Sequence, residues 1–400
     1  DIDIVMALYE FGGASAMHAA HKSHLALPCL ETLRKHHQDF LLRVSALKAC
    51  LIGDADENIQ TLFQPRDTLP RRLVGHRLGT NEFSADGRVS YIPATNQIAG
   101  FCQEHVNELD SVKMGIDLYN SMEAARAVKE GRVHIGMEIT CAAILLHSRT
   151  HYGALPILLA PMCKRGLLSD SVQLLISGIR SWQLSPNGEK MWGPLWYLAS
   201  DGDATRRNAM YRICMHMPLD PKSNLYRRLR GCVGLNLWVG ARDLTIDFDY
   251  KHAFKRLCML LCSKHGLVVQ GVVINKMLLS IWLEKLTGYD WSETSIHALL
   301  NPKDAQDVPR AIKLLSRISE LRHIDTETLT PSQYVVFKAL LILGEAFHSL
   351  LEPYINRKLS LSEQITHLVM SAHIFCALHL QHGTKFISNQ LYGDIQCMIK

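Results

Sequence analysis

The hydrophobic pattern of this chain changes period near Asp249, and no motif constrains the fold as strongly. Before Asp249, apolar residues come in short runs of strand length bounded by Gly, Pro and Asn. After it they recur at helical spacing through Lys400, punctuated by Pro302, Pro309, Pro331 and Pro353. This switch predicts an α/β portion followed by a nearly all-α portion, with a boundary at Asp249. The length of 400 residues accommodates two or three domains.

Leu25, Leu27, Leu30 and Leu33, then Phe40, Leu41, Val44, Leu47 and Leu51, predict an N-terminal helical segment within residues 1–70. Phe63 to Pro70 reads as a linker. Strand signals begin at Arg72. Arg88-Val-Ser-Tyr-Ile and Gln97-Ile-Ala-Gly-Phe-Cys flank the turn Pro93-Ala-Thr-Asn and predict a hairpin. Strands follow at Cys141-Ala-Ala-Ile-Leu-Leu and Leu155-Pro-Ile-Leu-Leu-Ala. A helix is predicted over Ser169 to Ser181, capped by Ser169-Asp170, and then a buried strand, Pro194-Leu-Trp-Tyr-Leu-Ala, which ends at Asp201. This order is compatible with an RNase H-like core over residues 71–248, although periodicity alone does not single that fold out.

The formal charge of +5 permits a nucleic-acid partner without requiring one. Basic clusters stand at Arg71 and Arg72, Arg206 and Arg207, and Arg227, Arg228 and Arg230, and each also fits a solvated helix face. The eleven cysteines include no CxxC pair, and Cys258 and Cys262, one helical turn apart, read as small core residues in a reduced compartment. No companion Cys or carboxylate completes a zinc spacing around His18, His21 and His24, or around His36 and His37. There is no secretory signal, and no apolar run reaches the eighteen or so residues of a membrane span. A chain that opens without Met and stops inside an apolar-periodic stretch reads as a fragment.

Two stretches carry chemistry. In Ser200-Asp-Gly-Asp-Ala-Thr-Arg-Arg, Asp201 ends a buried strand, Gly202 turns the chain and Asp203 caps a helix bearing Arg206 and Arg207. An ordinary strand-to-helix turn has the same composition. In Asp249-Tyr-Lys-His-Ala-Phe-Lys-Arg, Asp249 precedes His252, Lys255 and Arg256 within about two turns. This suits a phosphate or metal-phosphate contact and equally a helix cap with a solvated basic face. Asn301-Pro-Lys-Asp304 has the N-x-x-D form used to read guanine, and it is also a common helix-start turn.

The ordered set of motifs resembles transposases of the P element and THAP-related type. Val89-Ser-Tyr-Ile with Gln97-Ile-Ala-Gly-Phe is similar to that family's hairpin. Ser200-Asp-Gly is similar to its second-acid motif, and Phe248-Asp-Tyr-Lys-His-Ala-Phe-Lys to the start of its helical insertion. Leu300-Asn-Pro-Lys-Asp-Ala-Gln-Asp-Val and Leu359-Ser-Leu-Ser-Glu-Gln resemble stretches of fungal mobile-element-derived proteins. The resemblance covers about residues 70 to 400. It implies an RNase H-like core with N-terminal helices and a large all-α insertion domain over residues 249–400. It further implies DNA as partner, homo-oligomers, a nuclear or other intracellular location and no membrane. Mg²⁺ or Mn²⁺ would be the cofactor, with Asp201 as metal ligand. GTP enters as an insertion-domain ligand in the P element, although no Gly-rich phosphate loop supports it here.

The chain departs from the family where the first acid belongs. Thr80-Asn81-Glu82 stands in place of the expected Asp-Glu, so Asn81 occupies a degenerate catalytic position, and the final Glu is expected beyond Lys400. Strand transfer needs two cations about 3.5 to 4 Å apart, held by bridging carboxylates, and a neutral amide cannot offset their charge. Glu82 faces the opposite side of its strand. A degenerate transposase is therefore expected, the alternative being a catalytically dead DNA-binding or protein-interaction module.

Overall fold

The computed structural model describes residues 42–63, 74–93, 96–109, 111–114, 119–147, 153–163, 167–286, 293–301, 304 and 306–400, with short pieces before residue 42. Arg71, Arg72, His21, His24, His36, His37 and most of the expected N-terminal helices lie outside the described residues.

Helix α1 (Leu51–Leu62) precedes strand β1 (His76–Ser84). A hairpin of β2 (Ser90–Ile92) and β3 (Gln97–Ala99), then helix α2 (Tyr119–Lys129), lead to β4 (Glu138–Leu145) and β5 (Ala154–Met162). Next come α3 (Leu168–Leu184), the single turn α4 (Glu189–Trp192), β6 (Leu195–Ser200) and α5 (Ala204–Cys214). The short strand β7 (Met217–Pro218), α6 (Asn224–Leu229), β8 (Trp238–Val239) and β9 (Thr245–Phe248) complete this half. Helix α7 (Tyr250–Cys262) and a small hairpin, β10 (Leu267–Val269) with β11 (Val272–Ile274), open the helical part. It continues through α8 (Lys276–Leu283), α9 (Glu293–Leu300), α10 (Val308–Glu320), α11 (Pro331–Ile355), α12 (Leu361–His382) and α13 (Asn389–Ile399).

Five strands form one mixed sheet in the order β5-β4-β1-β6-β9. β5, β4 and β1 run antiparallel, whereas β6 and β9 run parallel to β1. The register aligns Leu78 with Leu198 and Ile246, all buried on one face. On that face Gly178 of α3 approaches so closely that an added Cβ would lie 3.3 Å from Leu78. One apolar core runs from Leu51 and Ile59 of α1 through this sheet to Phe254, Leu314, Phe347, Phe375 and Leu391 in the helices. A second, much smaller core of Ile98, Phe101, Val106, Leu109, Val112, Ala124, Ala127 and Val133 belongs to the excursion between β1 and β4.

The mixed α/β architecture, the hairpin and the helical second half match the sequence pattern. Four details differ. Phe63 is not linker: it is buried against Trp182 and Trp192, with ring centroids 4.9 and 5.4 Å away. Helix α3 starts at Leu168 without a side-chain cap, because Asp170 pairs with Lys48 at 2.6 Å instead. The sheet takes a fifth strand, β9, and Asp249 passes directly into α7, so the core is continuous across the expected boundary. Finally, α11 has the length and composition to cross a membrane. Its Leu340, Leu343, Ala346, Phe347 and Leu350 are fully buried, and the helix packs between α10 and α12. Capping boxes at Thr330 with Gln333, and Ser360 with Glu363, start α11 and α12.

Candidate functional site at the carboxyl ends of the parallel strands

Strands β6 and β9 end at one level beside Thr80 of β1, which itself runs on to Ser84. Thr80 pairs with Ser200, and Ser200 with Phe248, so the next residues, Asn81, Asp201 and Asp249, stand side by side on adjacent strands about 4.8 Å apart. Alternation along the strands puts them on the face opposite Leu78. A crevice opens beyond these ends, about 400 Å³ in volume, lined by Asp201, Asp203, Arg207, His252, Arg256 and Gln390. Asn81 is exposed and borders this region from β1, outside the described lining.

Local sequence builds the turn. Gly202 has φ +84°, and a Cβ there would lie 2.8 Å from Nη2 of Arg207, so both backbone sign and space call for glycine. Asp201 Oδ1 accepts from the amide of Asp203 at 3.2 Å. Asp203 Oδ1 accepts from the amides of Thr205 and Arg206 at 2.9 and 3.2 Å, capping α5. Asp249 caps α7 by accepting from the amide of Lys251 at 3.0 Å, and its Oδ2 lies 3.9 Å from Nε2 of His252.

Three of the basic residues read from sequence as phosphate contacts are buried. The capped start of α5 turns positions 206 and 207 toward the sheet and leaves 204 and 208 outside. Arg206 is buried, with Nη2 3.1 Å from Glu82. Arg207 forms a bidentate pair with Asp394 of α13, Nε to Oδ1 at 2.9 Å and Nη2 to Oδ2 at 3.0 Å. Both guanidinium groups are buried and paired with carboxylates. Lys255 is also buried, and its Nζ donates to Gln306. Of the cations proposed from sequence, Arg256 and His252 reach the crevice rim, with side chains 33% and 41% exposed, and Arg256 also binds Asp394.

Three acids complete the electrostatics. Asp394, which the sequence reading did not single out, is a lone acid in an apolar helix that packs on β9 and α7. Asp247 sits two residues before Asp249, opposite Ala199. Burial pushes its carboxyl up to about 7, helped by the negative charge of Asp249 and opposed by Arg77. Glu82 lies on the other face, as alternation demands. It accepts from Oγ1 of Thr140 at 3.3 Å and borders a separate cavity of about 240 Å³ with Glu138 and Arg206.

The Asn301 and Asp304 pair does not converge. Asn301 accepts from Lys276, donates to the carbonyl of His297 at 2.7 Å and lines a groove of about 490 Å³. Asp304 is exposed, accepts from the amide of Gln306 at 2.7 Å and is not part of the described lining of that groove.

No protein-family model, curated protein or solved structure matches this chain.

Proposed function

We propose that the chain is a transposase-related DNA-binding protein that retains an RNase H-like sheet while its strand-transfer chemistry has lapsed. The observation that carries this reading is the sheet: three antiparallel strands, then two parallel ones, in the order β5-β4-β1-β6-β9. Asp201 ends the fourth strand in sequence, beside Asn81 on the first, and α13 returns to the sheet edge with an acid. That strand order is the one expected of an RNase H-like core. Ser200-Asp-Gly and the start of Phe248-Asp-Tyr-Lys-His-Ala-Phe-Lys, which resemble P element and THAP-related motifs, stand at the ends of β6 and β9, while the hairpin of β2 and β3 is its own two-stranded sheet.

The residues present do not fit a pair of Mg²⁺ or Mn²⁺ ions. Asp201 offers one carboxylate and Asn81 a neutral amide, Asp203 and Asp249 are engaged by the helix-start amides they cap, burial holds Asp247 toward its neutral form, Asp394 is neutralised by two guanidinium groups and Glu82 lies across the sheet. Bridging two mutually repelling cations requires more unpaired negative charge than this. No cleavage step is assigned, and no nucleotide is assigned to the groove beside Asn301.

DNA binding rests instead on exposed cations. Arg227, Arg228 and Arg230 are exposed on and just after α6, and Arg256 and His252 add charge at the crevice rim. Such a set binds phosphates without reading bases. The test is fluorescence anisotropy with unrelated duplexes at about 50 and about 200 mM salt. Affinity should fall steeply with salt on every duplex, and replacing Arg227, Arg228 and Arg230 by Ala should flatten the log–log salt slope by roughly 2 to 3. Salt-independent binding, or a variant that behaves like the parent, would sink the proposal.

A further inference from the structure

The excursion between β1 and β4 brings two thiols and two imidazoles together at the end of β5. Cys102 lies three residues beyond the end of β3, and His105 stands three residues on in the turn that leads into Val106. His134 lies just before Ile135, which bridges Phe101, and its carbonyl accepts from the amide of Cys102 at 2.8 Å. Cys163 follows the last residue of β5. None of these cysteines is in a disulfide.

Three sulfur-to-nitrogen separations among them suit a ligand set. Nδ1 of His105 lies 3.5 Å from Sγ of Cys102 and 3.8 Å from Sγ of Cys163, and Nδ1 of His134 lies 3.4 Å from Sγ of Cys163. The two imidazole rings are 4.1 Å apart. The amide of Cys163 donates to Sγ of Cys102 at 3.1 Å. With Zn–S about 2.3 Å and Zn–N about 2.0 to 2.1 Å, the sulfur-to-nitrogen edge of a tetrahedron is about 3.5 Å. The observed separations bracket that value.

We propose that Cys102, His105, His134 and Cys163 bind one Zn²⁺ in a closed, structural Cys₂His₂ site. Borderline-soft zinc suits two thiolates with two imidazoles, and four protein ligands leave no open position for substrate. Glu104 also has a carboxylate oxygen within 4.8 Å of the donors of Cys102, His105 and Cys163. That carboxyl also lies near Lys48 and Asp170, and His134 is taken as the fourth ligand for its 3.4 Å contact with Sγ of Cys163 and its ring centroid 4.1 Å from that of His105.

The site also has a physical purpose. Three ligands come from the excursion and one from the main sheet, so the metal ties the small core to the large one. A module with so few buried apolar side chains gains stability from a staple of this kind. Cys163, at the sheet end, fixes where the module sits.

The whole chain, produced with zinc in the medium and purified without chelator, should carry about one zinc per molecule by elemental mass spectrometry. Exchange for Co²⁺ should give intense tetrahedral d–d bands and a charge-transfer band sized for two thiolates. His134→Ala and Cys163→Ser should each lower zinc content at least about tenfold, whereas Glu104→Gln should retain it. Folded parent protein without zinc, a weak octahedral Co²⁺ spectrum, or zinc retained by His134→Ala would overturn the assignment. The Co²⁺ spectrum of the unaltered protein decides the question even if a variant fails to fold.

Discussion

Replacing Asp394 by Asn removes one negative charge and little else, which makes it the sharpest probe of the crevice. The parent carboxylate is 4% exposed and receives both parallel N–H donors of Arg207, itself 8% exposed, at 2.9 and 3.0 Å, with Arg256 as a third donor. The amide keeps one acceptor oxygen, presents an NH₂ to a guanidinium and leaves a buried cation uncompensated. Breaking a buried pair in this way costs roughly 3 to 5 kcal/mol. The Arg256 contribution is smaller, because a third of that side chain meets water. The resulting fall in melting temperature should be roughly 4 to 6 °C for a chain of 400 residues. Urea unfolding followed by tryptophan fluorescence gives the free energy, and a thermal melt checks it. Arg207→Met combined with Asp394→Leu should recover much of the loss, since an apolar pair replaces both charges together. A loss below about 1 kcal/mol for Asp394→Asn, or strictly additive effects in the double variant, would refute the claim that this pair holds α13 to the sheet.

Other expectations follow from single sites. Gly202→Ala should destabilise by about 1 to 3 kcal/mol in the same unfolding assay, because φ is +84° and the new Cβ meets Arg207. Asp247 has its folded-state carboxyl raised from 3.8 to about 7, so the native state holds a proton that the unfolded chain releases, and stability should fall as pH rises from about 4 to about 7. Asp247→Asn should flatten that slope and be more stable than the parent at pH 8 by roughly 2 to 4 kcal/mol; an unchanged pH profile would remove the burial argument. Hydrogen bonds from the Cys258 thiol and Arg310 lower Cys262, whereas Cys258 is raised. Iodoacetamide mapped by mass spectrometry at neutral pH should therefore label Cys262 before Cys258, and Arg310→Ala should slow it.

Features written in neighbouring residues were legible without the fold. The change of period near Asp249, the β2–β3 hairpin, the strand at Leu195–Ser200 and the cap at Asp203 all express local rules of spacing and turn chemistry. Asp249 shows the limit of that legibility: its cap was readable, but its place beside Asp201 and Asn81 depends on two parallel pairings.

Charge and ligand partnerships were a different matter. Arg206 and Arg207 look like any solvated pair in the linear chain. Packing of α5 turns them inward, where Arg207 meets a carboxylate 187 positions away. Cys102 and Cys163 stand 61 positions apart in the chain, and only the fold of the excursion against β5 places them with His105 and His134. The Cys102-x-x-His105 spacing was the one local signal, and half a ligand set does not identify a metal. Periodicity records which face of an element meets the core, because hydrophobic burial is non-directional and acts residue by residue. Ion pairs and metal ligands depend on distances of a few ångströms between segments far apart in sequence, and those distances are settled only by the tertiary packing.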